Sequence, residues 1–429
     1  MGDSAKVKNP LHHQLETVLR FAHADYNKNK ITFCAERQNV VDVENIATGK
    51  VTPRKRKFRR VTRQVQLPEA IKCRRCGNKD LRRSRNKTEK IKVDLIFSQN
   101  GLRKSVTKSW AYDVRCPNCK IYTKAPELGL DGRPKFYGYG IKLWIVYQRV
   151  ALRLSYKSIT MAIKDMFNET FSPALIVHYL QEVAQNYFQT EERIIRRLLD
   201  SPFLHADETA VNIDNANQYI WVFTNGRYVV FKHTKTRESS FVRELLAEYK
   251  GVLISDFYSG YDAMSCKHQK CLVHLIRDLN NDLYSNPFDV EFEKFISEVR
   301  DFIVPIMEAV QKYGLKNRHL NKFRKRVERF YLSSIIERSY KSERCLKYQE
   351  RFKRYKESLF TFLQHDGIPW HNNPAESALR HIILQENISG IFHEVAIKEY
   401  LTLLGLKQSC KCQKRSFLRF LLSGEKLMG

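Results

Sequence analysis

The sequence predicts a multidomain α+β chain: an α/β core on a mixed sheet, interrupted by a helical insertion and preceded by a cysteine-bearing ribbon and a helical segment. Three observations lead there. Strand-patterned segments with a hairpin signal begin near residue 200 and then alternate with helix. Two C-x-x-C pairs stand upstream, separated by 39 residues. A charged, helix-patterned stretch, 286–363, divides those strands from a last helix. At 429 residues the chain also exceeds the usual ceiling for one compact domain.

Composition narrows the class. At 43% hydrophobic and 12% aromatic, the chain can build real cores, which excludes a disordered protein. No run of about eighteen apolar residues occurs, and Met1–Pro10 lacks the apolar middle of a signal peptide. The expectation is a soluble protein of the cytoplasm with no membrane partner. The formal net charge is +29, and the stretch Lys50–Trp110 holds 21 basic against 4 acidic residues. Such a field repels itself unless a polyanion is near, and nucleic acid is the commonest one.

Taken in order, residues 1–66 form an N-terminal segment with helical spacing over His12–Ala24 and a basic arm. The arm contains Arg54, Lys55, Arg56, Lys57, Arg59 and Arg60, which suit phosphate contacts or a solvated linker equally well. Residues 67–125 hold Cys73-Arg-Arg-Cys76-Gly77 and Cys116-Pro117-Asn-Cys119, with strand-like Lys90–Phe97 and Ser109–Val114 between them. Two tight turns offering thiolate pairs can meet at one tetrahedral Zn²⁺, and four thiolates leave no open position, so this ion is structural. The remaining six cysteines share no spacing and read as reduced thiols.

Residues 126–199 are helical. Tyr156–Phe167 and Ser172–Asn186 form a pair, with Ser172 as N-cap and Pro173 in the first turn. They fit either a helix-turn-helix that reads a major groove or a plain helical spacer. From Pro202 the texture changes. Phe203–Ile213, Gln218–Phe223 and Tyr228–His233 read as strands, with Asn225-Gly226 as a hairpin signal. Glu238–Tyr249 reads as helix, Gly251–Phe257 as an apolar strand and His268–His274 as a further strand. That order matches an RNase H-like half-sheet over 200–285, completed by 364–406 after the insertion. A basic tail, 407–429, closes the chain.

Phosphodiester chemistry needs hard carboxylate oxygens held at a few rigid points, and strand ends plus a helix can supply them. Asp207 follows apolar Leu204-His-Ala, and Asp256 follows Leu253-Ile-Ser, each where a strand would stop and a pocket open. Glu208, next to Asp207 in extended chain, points to the opposite face. Glu376 lies in Asn372-Asn373-Pro374-Ala375-Glu376, which also reads as a capping box with Asn373 as N-cap. Arg380, one turn on, could meet a phosphate or pair with Glu376. His274 could act at a scissile phosphate or be a satisfied core histidine.

Together these motifs resemble the DDE transposases of bacterial insertion sequences, specifically the family numbered sixty-six. Asp207-Glu208-Thr209 resembles that family's D-E-T, and Asp256-Phe-Tyr-Ser-Gly-Tyr261 is similar to its D-G-Y-x-G-Y. Cys271-Leu-Val-His274-Leu-Ile-Arg277 resembles its C-x-x-H-x-x-R, and Asn372 to Arg380 its N-N-x-x-E-R-x-x-R. The similarity runs from about Leu67 to Leu406. It departs at His371, where the family usually has Asp, and at Ser377, where it usually has Arg. No N-terminal leucine zipper is evident.

The resemblance implies an RNase H-like fold with a helical insertion. It implies Asp207, Asp256 and Glu376 as catalytic ligands of two Mg²⁺ (or Mn²⁺) ions, with His274 and Arg380 in support. It further implies cleavage of transposon-end DNA and strand transfer by a homo-oligomer, dimeric or higher, at the prokaryotic nucleoid. A structure-selective nuclease and a non-catalytic DNA-binding regulator are the alternatives.

Overall fold

The computed structural model describes residues 61–128, 135–390, 392–426 and 428. The helix read over His12–Ala24 and the arm Arg54 to Arg60 lie outside the described residues. Two compact units emerge: residues 61–185 with Phe417–Gly424, and Asn186–Ser416 with the residues from Glu425.

The first unit is built on a long hairpin, β2 (Arg82–Ser98) and β3 (Gly101–Arg115). β1 (Arg63–Gln66) adds to β3 in parallel, β4 (Tyr122–Thr123) pairs antiparallel with β3, and β5 (Lys135–Tyr137) lies parallel to β2. The expected strands Lys90–Phe97 and Ser109–Val114 are therefore the middles of longer ones. Val93, Leu95, Val106 and Val114 are buried along them, and Ala111, Ala125 and Leu128, with Leu67 packed against them, form a small cluster. α1 (Tyr139–Val146), α2 (Tyr156–Phe167) and α3 (Pro173–Gln185) complete this unit. α2 ends at Asn168, whose left-handed φ of 50° turns the chain toward α3. The Ser172 hydroxyl accepts from the Leu175 amide at 3.2 Å, the cap its position predicts.

The second unit opens with α4 (Phe188–Leu199) and carries a five-stranded sheet in the order β10-β9-β6-β7-β8. β6 spans Phe203–Ile213, β7 Ala216–Thr224 and β8 Val229–Thr234. They form an antiparallel meander whose first turn puts Asp214 and Asn215 at φ 49° and 65°. The second turn uses Gly226 at φ 80°, with the Asn225 carboxamide accepting the amides of Arg227 and Tyr228. After the short α5 (Ser240–Leu245), β9 (Val252–Ser255) and β10 (Lys267–Lys270) add in parallel.

The strand expected over His268–His274 ends early: α6 (Leu272–Ser285) starts inside it and puts His274 on a helix. Leu272, Leu275, Ile276 and Leu279 supply that helix with a buried stripe, a period that the short window concealed.

The insertion begins with α7 (Val290–Tyr313), followed by α8 (Arg324–Phe330) and α9 (Glu343–Arg354). One apolar cluster runs from Val252 and Ile254 on β9 through these helices to Trp370, so the insertion shares its core with the sheet. Its centre is aromatic: Phe302 stacks on Phe330 with centroids 4.4 Å apart. α10 (Asn373–Ser389) and α11 (Glu394–Cys412) then return to the sheet.

Both sheet edges meet hydroxyls from neighbouring segments. The Val229 amide donates to Ser409 Oγ at 2.8 Å, and Gly405 lies where a Cβ would come 2.9 Å from the Val229 carbonyl oxygen. At the other edge Thr361 Oγ1 donates to the His268 carbonyl at 2.6 Å. The expected tail over 407–429 is largely helical: α11 runs to Cys412, and α12 (Phe417–Ser423) buries Phe417, Phe420 and Leu421. Apolar residues every three to four positions explain it, because they bury a stripe between the basic ones.

Candidate active site

β9 pairs with β6 only over Phe203 to His205, opposite Val252 to Ile254. Carrying that register on by two residues sets Asp207 beside Asp256, at the fork where β9 stops and β6 continues along β7. Asp207 is thus mid-strand rather than at a strand end. The opening the sequence suggested comes from the shorter neighbour. The side chains are held locally: Asp207 Oδ1 accepts the Glu208 amide at 3.0 Å, and Asp256 Oδ1 accepts the Tyr258 amide at 2.9 Å.

Burial raises the Asp207 carboxyl well above the usual carboxylate range, and the charges of Asp256, Glu208 and Glu376 push it further. Asp207 therefore sits in a field of neighbouring carboxylates that disfavours its ionised form until positive charge is near.

The helix bearing Glu376 is tied to this fork by Asn372. Its Nδ2 donates to the Ala206 carbonyl at 2.9 Å, its Oδ1 meets His205 Nδ1 at 3.1 Å, and its backbone amide reaches Cys271 Sγ at 3.2 Å. Asn372 and His205 are buried, and burial pushes the His205 pKa down to about 3, so its ring is neutral. Asn372, not Asn373, is the N-cap of α10, and it makes no side-chain cap bond because its carboxamide is spent on the strand.

Glu376 makes no reciprocal cap bond either. It faces α6, with His274 Nδ1 3.7 Å from its Oε1 and Arg277 4.0 Å from its Oε2. His274 Nδ1 and Glu376 Oε1 are buried without hydrogen-bond partners.

Glu208, 2% exposed at the side chain, belongs to a network that sequence reading missed. Arg237 donates to Glu208 Oε1 at 2.5 Å, and the buried Tyr261 hydroxyl donates to its Oε2 at 2.5 Å. The Arg237 guanidinium also lies 4.0 Å from the Tyr258 ring centroid, and the Tyr258 hydroxyl donates to the Arg237 carbonyl. Gly260 is needed between these tyrosines, since a Cβ there would lie 2.2 Å from the Tyr258 ring. Lys270 and Arg354 grip Asp262 at 2.8 Å each and fasten the far end of the same loop. Tyr258 and Tyr261 sit inside a motif the sequence displayed, whereas Arg237 lies in a loop with no pattern to mark it.

Among the described residues, two groups bring metal-capable atoms within 4.8 Å of one another: Cys73, Cys76, Cys116 and Cys119, and Cys271, His274 and Glu376. Asp207 and Asp256 join neither. The four thiols fit Zn²⁺. Their sulfurs lie 3.3, 3.5 and 3.7 Å apart, near the ~3.8 Å edge of a tetrahedron with Zn–S of about 2.3 Å. Both knuckles share one geometry: Gly77 and Lys120 donate to the carbonyls of Cys73 and Cys116, at φ 72° and 60°. The Cys76 backbone amide, the largest influence, lowers the Cys73 thiol to about 6. At Cys119 the Ile121 amide, the largest single influence, is outweighed by burial and the neighbouring sulfurs, which push that thiol up to about 12, a crowding that a shared cation would relieve.

The mixed α/β sheet thus carries two acids at a strand fork and a third acid on a helix clamped to it. The chain belongs to the Transposase IS66 family, whose pattern matches residues 135–398. That family is one of DDE-type transposases. No curated protein matches the chain.

Among solved structures it is similar to a chain of the intasome of simian T-cell lymphotropic virus in complex with PP2A regulatory subunit B56 gamma. That match has 15% identity, 25% of this chain and 49% of that one covered, and a TM-score of 0.16. It is also similar to the HTLV-2 integrase catalytic core domain in complex with magnesium, at 15% identity, 22% and 80% coverage and a TM-score of 0.14. This chain therefore spans about half the length of the first of these. No helix among the described residues is long and apolar enough to cross a membrane.

Proposed function

We propose that this transposase cleaves DNA at the ends of its element and joins the freed 3′-hydroxyls to target DNA, with Asp207, Asp256 and Glu376 as its catalytic carboxylates. The observation that supports this most is the register that sets Asp207 beside Asp256, with Asn372 clamping the Glu376 helix to the same strand. When bound, two Mg²⁺ or Mn²⁺ ions would offset the charge of the scissile phosphate and stabilise its entering and leaving oxygens. Burial and the neighbouring acids push the Asp207 carboxyl upward, and the positive charge of bound ions would favour its ionised form. Asp256 is oriented by the Tyr258 amide, and the Glu376 carboxylate lies 3.7 Å from His274 and 4.0 Å from Arg277. In-line displacement by water, then by the 3′-hydroxyl, requires no covalent bond to the protein.

DNA ends would be held by the ribbon (67–125), the helical segment (126–199) and the arm Arg54 to Arg60. Arg82, Arg83, Arg85 and Lys87 are exposed along β2, and Lys87 Nζ lies 4.7 Å from the Trp110 ring centroid. Residues 200–285 and 364–406 would form the catalytic core, 286–363 its insertion and 407–429 a closing segment, with the working form a homo-oligomer on DNA. His274 and Arg380 would support the reaction.

The test uses Asp256→Asn with duplexes carrying the element end. Mg²⁺-dependent cleavage and transfer of pre-cut ends should both vanish while DNA binding persists. Cleavage retained in Mg²⁺ would overturn the assignment.

A further inference from the structure

Cys271 is the N-cap of α6 and His274 stands three residues on, so the helix turn brings thiol and imidazole to one side. Glu376 arrives from α10, fixed by Asn372. Cys271 Sγ, one imidazole nitrogen of His274 and one Glu376 oxygen lie within 4.8 Å of one another. The thiol is fully buried, so its surroundings decide its chemistry. Burial, the largest influence, pushes it up to about 12, opposed by the backbone amides of His274, Asn372 and Val273. Those amides can stabilise a thiolate once a cation is present. Beside it, His274 Nδ1 and Glu376 Oε1 are enclosed without hydrogen bonds, 3.7 Å apart. Two polar atoms without hydrogen bonds and a thiol form a donor set, and sulfur with imidazole selects a soft ion over Mg²⁺.

We infer that Cys271, His274 and Glu376 form a third metal site, specific for a thiophilic divalent cation such as Zn²⁺, and that its occupation inhibits the transposase by withdrawing Glu376 from the catalytic set. The inhibitory half rests on the reading of Glu376 as catalytic; the binding half does not. On binding, the Cys271 S–H bond breaks, its proton passes to solvent and a sulfur–metal bond forms, with no change of oxidation state. Three protein ligands leave a fourth position open, unlike the closed four-cysteine ribbon.

The test is Co²⁺ titration of the full-length chain already loaded with zinc in its ribbon. A further equivalent should bind with a thiolate-to-cobalt charge-transfer absorption, and that band should be missing in Cys271→Ser. No additional equivalent, or an equal band in Cys271→Ser, overturns the site. Should Cys271→Ser fold poorly, His274→Ala leaves the buried thiol in place. It should weaken cobalt binding by at least about tenfold, because loss of even an outer partner costs that much; unchanged affinity overturns the site.

In the second arm, Zn²⁺ is added to Mg²⁺-supported end cleavage. Inhibition in the wild type that needs at least about tenfold more Zn²⁺ in Cys271→Ser supports the whole inference. Cobalt bound without inhibition by Zn²⁺ would keep the metal site and overturn the catalytic placing of Glu376.

Discussion

Asn372 donates its side-chain amide to the Ala206 carbonyl at 2.9 Å, fastening the start of the Glu376 helix to the strand that carries Asp207. Asn372→Ala removes that donor and leaves the Ala206 carbonyl and the His205 ring without a partner in a buried setting. Unsatisfied buried groups cost about 1–3 kcal/mol each, and displacement of a reacting group by about 1 Å costs on the order of a hundredfold in rate. Asn372→Asp should fare no better, since a carboxylate cannot donate to Ala206. Chemical denaturation and end-cleavage rates check this; full activity in a destabilised variant would sink the positioning role.

Asp207 predicts an inverted pH response. Its folded-state pKa lies above its unfolded value, so the folded chain holds the extra proton. Stability from this group is then lost as pH rises from the usual carboxylate range through the raised value. In a chelator, Asp207→Asn should raise the melting temperature of the sheet-bearing unit. A gain of about 1 kcal/mol shifts a unit of this size by roughly 2–4 °C. Mg²⁺ should stabilise the wild type more than the variant. A variant that melts lower than wild type in chelator would refute this.

The Glu208–Arg237 pair gives a coupling prediction. Arg237→Ala leaves a carboxylate with 2% exposed side chain facing only Tyr261, and should destabilise by about 1–3 kcal/mol. Glu208→Gln combined with Arg237→Ala should cost less than the sum of the two single changes. Additive losses in denaturant melts would show that the pair is not coupled.

The ribbon should depend on its ion. The two knuckles at Cys73–Cys76 and Cys116–Cys119 are short turns whose shape depends on the four sulfurs meeting. Chelation, or Cys76→Ser, should speed amide exchange at Gly77 and Lys120, whose donors close the two knuckles. Amides of β6 and β7 should stay protected. Unchanged exchange at the knuckles would rule out a structural ion.

Much of this was legible because it obeys short-range rules. Asn225-Gly226 made its turn, the C-x-x-C pairs met across a hairpin, and Ser172 capped its helix. Errors came where the determinant is distant in sequence. His274 looked like strand because four apolar neighbours satisfy either period, and only packing on the insertion selects helix. Glu376 read as a cap because nothing local reveals that Asn372 is engaged with β6. Arg237 had no motif at all: its partner Glu208 lies 29 residues away, across a strand turn.

The two edge hydroxyls have a consequence for how copies can gather. Ser409 takes the outward amide of Val229 and Thr361 the outward carbonyl of His268, groups that an added strand would need. An open sheet normally invites such addition and with it aggregation. Here Ser409 and Thr361 occupy those groups, so a second copy could not extend the sheet through these two residues without displacing a side chain.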